Sequence, residues 1–171
     1  SAFMCSFPLE GGAACKAGFG MINWQTTIMF WEVAKVKQVV VIDGKSGRTG
    51  QLFIERVKAA GLPCELIAIG TNAIATSAML KAGADGGATG ENPVVVACRK
   101  ADVIVGPIGI LAADSLMGEV TPAMAVAVGQ SEAIKLLLPV SHCKNVVVGT
   151  QTLSLSKLMD EAVELLRAQL A

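Results

Sequence analysis

The sequence predicts an α/β domain with a Rossmann-like, doubly wound, three-layer fold around a mostly parallel sheet of about five strands. Short continuous apolar runs alternate with helix-like segments along most of the chain. Such runs are typical of parallel strands that helices cover on both faces, and regular alternation of strand and helix indicates a doubly wound sheet. The predicted strands are Val39–Ile42, Leu66–Ile69, Val103–Val105, Ile134–Leu138 and Val146–Val148.

Five helices are expected after these strands. The first follows Gly50 and stops at Gly61, because a glycine at a helix end and a proline shortly after it are stop signals. Two later helices open on a capping residue with a proline in the first turn. The remaining helices are expected to start near Asn72, at the caps Asn92 and Thr121, and near Ser154.

The composition excludes several classes of protein. A chain of 171 residues with 53% hydrophobic content is long enough for one domain with a buried core and is not typical of disorder. No apolar run approaches the roughly 20 residues that span a bilayer. The net charge is zero and the basic residues are scattered, so neither a membrane nor a nucleic acid is an expected partner. The five cysteines contain no CxxC pair, which predicts reduced thiols, a cytoplasmic protein and no metal site.

Residues 1–35 differ in composition from the rest of the chain and are interpreted as an N-terminal extension, with residues 36–171 as the single domain. Every Phe and Trp except Phe53 lies in the first 31 positions, and this segment has no clear helix or strand period. Two interpretations stay open. The segment is either a loosely held tail or an aromatic arm that docks on a neighbouring subunit.

A glycine-rich loop follows the first predicted strand. Its GxxGxxG spacing differs from the commoner GxGxxG, but it lies between a buried strand and a helix, where glycines let the backbone approach a pyrophosphate. The helix N-terminus would offer N–H groups and a partial positive charge to phosphate. A glycine-rich turn without a ligand is the open alternative. The predicted cofactor contacts in this loop are Asp43, Gly44, Lys45, Ser46, Gly47, Arg48, Thr49 and Gly50.

Two further loops are expected to form the other walls of the cleft, because ligands of doubly wound sheets lie at the carboxyl ends of the strands. Sheets that bind NAD usually have an acidic residue at the end of the second strand, where it binds the ribose hydroxyls. No acid stands at that place here, which favours NADP, while NAD, a mononucleotide or another phosphorylated ligand stay open. The predicted contacts in these loops are Gly70, Thr71, Asn72, Gly106, Pro107 and Gly109.

From about Gln38 to the C-terminus the chain resembles a bacterial family of uncharacterised proteins, classified as a domain of unknown function. The resemblance lies in the strings VVVIDGKSGRTG, GTNAIATSAMLKAGADGGATGENPVVV, RKADVIVGPIGILAADSLMGEVTPAMAVAVGQS and LSLSKLMDEAV. It implies a Rossmann-like fold and brings no known activity.

A second, local resemblance concerns the glycine loop. The string SGRTGQLFIERV is similar to the cofactor loop of dihydrodipicolinate reductases, which bind NAD(P)H through a GxxGRxG turn. It implies that Gly44, Gly47, Arg48 and Gly50 contact the cofactor. The His-rich catalytic stretch of that family has no counterpart here, so the resemblance implies the loop and not the reaction.

Few residues offer acid–base or nucleophilic chemistry. The chain has no Tyr, so it lacks the Tyr–Lys pair of short-chain dehydrogenases. His142, the single histidine, is either an ordinary loop residue or the partner of Cys143 in a thiolate–imidazole pair. Asp43 either binds a metal or a ribose, or caps its own turn. Five oxygen-bearing residues follow the predicted strands or open the helices: Asp114, Ser115, Glu119, Glu91 and Asn92. If they lie close together they could bind Mg²⁺, and helix capping is the alternative role.

The leading hypothesis is a protein that binds a dinucleotide, NADP or NAD, above Gly44–Gly50. It would be a small oxidoreductase or a nucleotide-responsive binding protein, and a homodimer or other homo-oligomer is expected because the domain is small for an enzyme with a separate substrate domain. The alternative is a structural or assembly subunit in which the loop holds no ligand. In that case the apolar helix at Pro122–Val128 and the aromatic arm would make the contacts.

Overall fold

The computed structural model of the protein describes residues 36–140, 147 and 154–171. These residues contain a five-stranded, all-parallel sheet with helices on both faces, which confirms the predicted doubly wound α/β fold. The strand order is β3-β2-β1-β4-β5, so the chain changes its direction of winding between the neighbours β1 and β4. The strands are β1 (Lys37–Asp43), β2 (Cys64–Gly70), β3 (Gly86–Thr89), β4 (Val103–Pro107) and β5 (Ile134–Leu138).

The helices form two layers that cover opposite faces of the sheet. They are α1 (Arg48–Ala59), α2 (Ala73–Lys81), α3 (Glu91–Cys98), α4 (Pro122–Gln130) and α5 (Leu155–Leu170). Side chains alternate along β1, so that Val39 and Val41 pack with α1, α2 and α5, whereas Val40 and Ile42 pack with α3 and α4. Both faces of β1 are therefore buried, as its continuous apolar run predicts.

Most of the predicted helix starts agree with the structure. Asn72, Thr121 and Ser154 each accept a hydrogen bond from the backbone N–H three residues later. The prediction that Asn92 caps the third helix is wrong. Gly90 adopts a φ of 102°, which brings the chain into α3 immediately afterwards, and Asn92 therefore lies inside the first turn.

The strands were predicted less completely. Four of the five apolar runs are strands, but most of Val146–Val148 lies outside the described residues, as do His142, Cys143 and the segment 1–35. β3 is the strand that sequence reasoning missed, because its sequence GGAT contains no apolar run. No helix within the described ranges is long and apolar enough to cross a membrane.

Candidate functional site

Three loops meet at the carboxyl end of the sheet, where β1 and β4 lie side by side. They are Gly44–Gly47 after β1, Thr71–Asn72 after β2, and the segment from Ile108 to Thr121 after β4. The last of these contains a 3-10 turn, Ile108–Leu111, and a left-handed turn, Ser115–Gly118. The boundary between β1 and β4 is the topological switch point, where ligands bind in sheets of this kind.

The Gly44–Gly50 loop is a tight turn between β1 and α1. The Gly47 N–H donates to the Gly44 carbonyl oxygen at 2.8 Å, and Gly47 adopts a left-handed φ of 69°. A Cβ atom at Gly47 would lie 2.7 Å from the backbone of Ala75. A Cβ atom at Gly50 would lie 2.4 Å from the Sδ atom of Met79. The packing of α2 against this loop therefore requires glycine at position 47, and a side chain at position 50 would require the Met79 side chain to move, whether or not a ligand binds.

Asp43 organises the loop from inside. Its side chain is 4% exposed, and its two oxygens accept hydrogen bonds from the Gly44 N–H and the Gly50 N–H, each at 2.8 Å. Charge-assisted hydrogen bonds of this kind are stronger than neutral ones. Of the two roles that the sequence left open for Asp43, these contacts support the capping of its own turn.

The backbone N–H groups of the loop differ in whether they are hydrogen-bonded. Among the described residues, no acceptor is found for the backbone N–H groups of Ser46, Arg48 and Thr49. The first turn of α1 contains no acidic residue and its N-cap, Gly47, gives no side-chain cap, although the Asp43 carboxylate accepts from the Gly50 N–H in that turn. The side chains of Ser46 and Arg48 are exposed, whereas that of Thr49 is buried. The loop and the first turn of α1 thus present several donors together.

Glu119 joins the three loops through one carboxylate oxygen. Its Oε2 atom accepts hydrogen bonds from the Lys45 N–H at 2.7 Å, from the Asn72 Nδ2 at 3.0 Å and from the Thr71 hydroxyl. Glu119 and Lys45 are 74 positions apart in the chain. The sequence predicts Glu119 only as part of an oxygen-rich loop that could bind Mg²⁺ or take part in chemistry, and no local pattern indicates this contact.

The charge of Glu119 is stabilised where it lies. Partial burial raises the pKa of the Glu119 carboxyl, but the hydrogen bonds from Thr71, Lys45 and Asn72, together with the Lys45 charge, outweigh burial. The net result is a pKa below the ordinary value of 4.5, so the side chain is an anion at neutral pH.

A family model described as "Domain of unknown function (DUF3842)" matches residues 38–171. The chain belongs to the DUF3842 family. The match begins inside β1 and runs to the last residue, so it includes every loop of the cleft. The description of the family names no activity, and no curated protein matches the chain.

A left-handed turn carries Glu119 into the cleft of the DUF3842 domain. Asp114, Leu116, Met117 and Gly118 all have positive φ angles, between 54° and 84°. This conformation costs roughly 1–2 kcal/mol for each residue other than glycine. Leu116 is buried and points towards Gly44, whereas Met117 is 90% exposed. Strain of this kind is concentrated at functional sites in many proteins.

The predicted contacts after β2 have roles in the fold. A Cβ atom at Gly70 would lie 2.3 Å from the Thr76 hydroxyl, so this position admits only glycine. Thr71 donates to Glu119, as described above. The Asn72 amide donates to the Lys45 carbonyl oxygen at 3.0 Å and also caps α2. Thr71 and Asn72 are half-buried at the rim of the cleft, and contact of these residues with a ligand stays a prediction.

The predicted contacts at the end of β4 lie deeper. Gly106, Pro107 and Gly109 are all buried. A Cβ atom at Gly106 would lie 2.4 Å from the Ile42 carbonyl oxygen, so glycine is required for the close approach of β4 to β1. The Gly109 carbonyl accepts the Ser115 hydroxyl at 2.5 Å and supports the left-handed turn. These three buried residues lie at the end of β4 and in the 3-10 turn that follows it, and their contact with a ligand also stays a prediction.

The oxygen-bearing residues weighed for Mg²⁺ do not converge. Asp114 is exposed, Glu119 is bound to the loops after β1 and β2, and Glu91 accepts a hydrogen bond from the Thr121 hydroxyl. In the part of the chain that the structure describes, no group of three or more His, Cys, Asp or Glu side chains could hold a metal ion. The geometry therefore gives no support to the Mg²⁺ alternative.

Proposed function

We propose that the DUF3842 domain binds a dinucleotide, NAD or NADP, with the pyrophosphate on the Gly44–Gly50 loop. The observation that carries this proposal is the set of backbone N–H groups of Ser46, Arg48 and Thr49, which have no acceptor among the described residues. They lie at the N-terminus of α1 beside the switch point of the sheet. A phosphate at a helix N-terminus gains both hydrogen bonds and the favourable end of the helix dipole.

The charges around the loop fit a bridging phosphate group better than a free one. Lys45 and Arg48 supply two cations, and Arg48 is exposed and can turn towards the ligand. Asp43 and Glu119 lie against the same loop and oppose a large concentration of negative charge. A pyrophosphate bridge carries less charge on each phosphorus than a terminal phosphate, so a dinucleotide suits this balance.

Binding is the function that the geometry supports best, and catalysis is a separate question. Asp43 and Glu119 both accept hydrogen bonds from the loops and serve to hold them together. A small oxidoreductase and a nucleotide-responsive binding protein therefore both remain compatible with the proposal. Once a dinucleotide is shown to bind, its reduction or oxidation in the presence of candidate substrates separates the two.

The test is thermal unfolding of the full chain with NAD, NADH, NADP, NADPH, ATP, AMP and FMN. A ligand at ~100 times its dissociation constant stabilises the folded state by about 2.7 kcal/mol, which raises Tm by a few degrees. We expect such a rise with a dinucleotide. The absence of any rise with every member of the panel would refute the proposal.

The variant that locates the site is Ser46→Asp. Substitution of Gly47 would be uninformative, because its φ of 69° and the nearby Ala75 backbone would also strain the fold. Ser46 is exposed, so the new carboxylate repels phosphate at the free N–H groups without such strain. The matched control is Gly129→Asp, which makes the same change in charge at the exposed end of α4, where a Cβ atom would meet nothing. We expect Ser46→Asp to abolish the ligand-induced rise in Tm and Gly129→Asp to retain it.

The second candidate function, an assembly subunit, is favoured by one observation. A groove of about 530 Å³ lies between α3 and α4 at the opposite edge of the sheet, and its lining includes Val95, Ala123 and Val126. Val126 is 53% exposed. If a second copy of the chain covers this groove, Val126→Asp will convert an oligomer to a monomer in light scattering. A chain that is already monomeric would remove this candidate.

A further inference from the structure

We propose that Glu119 binds the adenosine ribose hydroxyls of the dinucleotide and thereby makes the cleft select NAD over NADP. The inference rests on the proposed function, because it concerns a second part of the same ligand. It assigns to a residue after β4 a task that acidic residues at the end of β2 perform in other sheets of this kind.

The Glu119 carboxylate lies beside the end of β2, although Glu119 belongs to the loop after β4. The end of β2 has no acidic residue of its own, since Gly70, Thr71 and Asn72 follow one another there. Glu119 nevertheless lies within hydrogen-bond distance of both Thr71 and Asn72. The same oxygen contacts the Lys45 N–H in the glycine loop. A carboxylate is therefore present between the end of β2 and the loop, which is where the ribose lies when pyrophosphate is bound to the loop.

The two carboxylate oxygens of Glu119 differ in the number of hydrogen bonds that they accept. Oε2 accepts all three of the hydrogen bonds from Lys45, Thr71 and Asn72. Oε1 accepts none from the described residues, and it is not buried, because every buried side-chain oxygen or nitrogen in those residues has a partner. One oxygen thus fixes the side chain, while the other is directed to solvent as an acceptor. A fixed side chain loses little conformational entropy when it binds a ligand.

The Glu119 carboxylate would distinguish a ribose hydroxyl from a 2′-phosphate. An ionised carboxylate only accepts hydrogen bonds, so Oε1 can bind the hydroxyl groups of a ribose. A 2′-phosphate carries negative charge and offers no comparable donor, and it would meet Glu119 at close range. Arg48 is the exposed cation of the loop that could attract such a phosphate, but no hydrogen bond or ion pair with another described residue fixes its side chain. The fixed carboxylate therefore decides between the two dinucleotides.

The left-handed turn before Glu119 determines the position of this side chain. Asp114 and Val120 close the turn through a backbone hydrogen bond of 2.8 Å, and the buried Leu116 anchors it beside Gly44. Three residues other than glycine hold left-handed conformations to make this turn: Asp114, Leu116 and Met117. A connection between β4 and α4 could be made without strained residues. The strain in this turn therefore supports a functional role for the carboxylate that it positions.

The experiment is calorimetric titration of the full chain with NAD and with NADP. We expect the wild type to bind NAD at least about tenfold more tightly than NADP. Glu119→Gln should weaken NAD binding about tenfold, which is the loss expected for one charged hydrogen-bonding partner. The affinities of this variant for NAD and NADP should therefore be similar. The matched control is Glu132→Gln, an exposed residue at the opposite edge of the sheet, which should leave both affinities unchanged. NAD that lacks the adenosine 2′-hydroxyl should bind more weakly to the wild type, and this result does not depend on the folding of any variant.

The outcomes separate the inference from the proposed function. Equal or tighter binding of NADP by the wild type overturns the inference alone, provided that Ser46→Asp still abolishes binding. Tighter binding of both dinucleotides by Glu119→Gln also overturns it, because Glu119 would then obstruct the phosphate. If neither NAD nor NADP binds the wild type, the inference is overturned together with the proposed function.

Discussion

The Gly44–Gly50 loop and the segment Asp114–Glu119 touch at Gly44, yet they are held in different ways. The glycine loop is fixed from within by the buried Asp43 and from outside by the packing of α2. The second segment makes a left-handed turn through strained residues and leaves Met117 almost fully exposed. The difference shows how a cleft can be built from two unlike parts. One part presents hydrogen-bond donors and contains a single left-handed residue other than glycine, Lys45 with a φ of 51°. The other part brings an acceptor through a turn that contains three such residues.

The largest effect on stability is expected where the two parts touch. Gly44→Ala would put a Cβ atom 2.6 Å from both Glu119 Oε2 and the Thr71 hydroxyl, and 2.9 Å from Leu116. Overpacking of this kind costs about 1–3 kcal/mol, so we expect the free energy of unfolding in urea to fall by about 2 kcal/mol. Gly129→Ala is the control, because its Cβ atom would meet nothing and alanine favours a helix. Equal stability of the two variants would show that the parts are not in close contact.

A smaller effect concerns the charge that joins the parts. Folding lowers the pKa of Glu119, so its ionisation stabilises the folded protein. The whole of this contribution is present when the pH is above the ordinary pKa of 4.5. This contribution is lost as the pH falls through the lowered pKa. We expect the wild type to exceed Glu119→Gln by about 1 kcal/mol in free energy of unfolding at pH 7, and the difference to vanish in acid. Urea unfolding of both proteins between about pH 3 and pH 7 measures it, and a difference that grows in acid would contradict the assigned direction.

The smallest effect concerns the strain in the second part. Met117 has a φ of 67° and its side chain is 90% exposed, so glycine would relieve the strain and lose almost no packing. We expect Met117→Gly to raise the free energy of unfolding by up to about 1 kcal/mol, since the greater freedom of glycine in the unfolded chain offsets part of the gain. Met117→Ala keeps the left-handed strain and should change little. If alanine stabilises as much as glycine, the backbone at Met117 is not strained.

The two parts also differ in how far sequence could predict them. Gly44, Gly47 and Gly50 stand between an apolar run and a helix, so their position at the carboxyl edge follows from local pattern. The partnership of Glu119 with Lys45 joins residues 74 positions apart and depends on the strand order β1-β4, which no local pattern encodes. For the same reason the carboxylate near the end of β2 was not foreseen. β3 and the entry to α3 were missed because glycines determine both.

We propose that the backbone N–H groups of Ser46, Arg48 and Thr49, which have no acceptor among the described residues, bind the phosphates of a dinucleotide. The most direct measurement is a titration of the ¹⁵N-labelled protein with NAD, followed through its amide resonances by NMR. We expect the largest shift changes at Ser46, Arg48 and Thr49, a clear change at Glu119, and none at Val126 in the groove between α3 and α4. Saturable shifts confined to that groove, or no shifts at all, would contradict it.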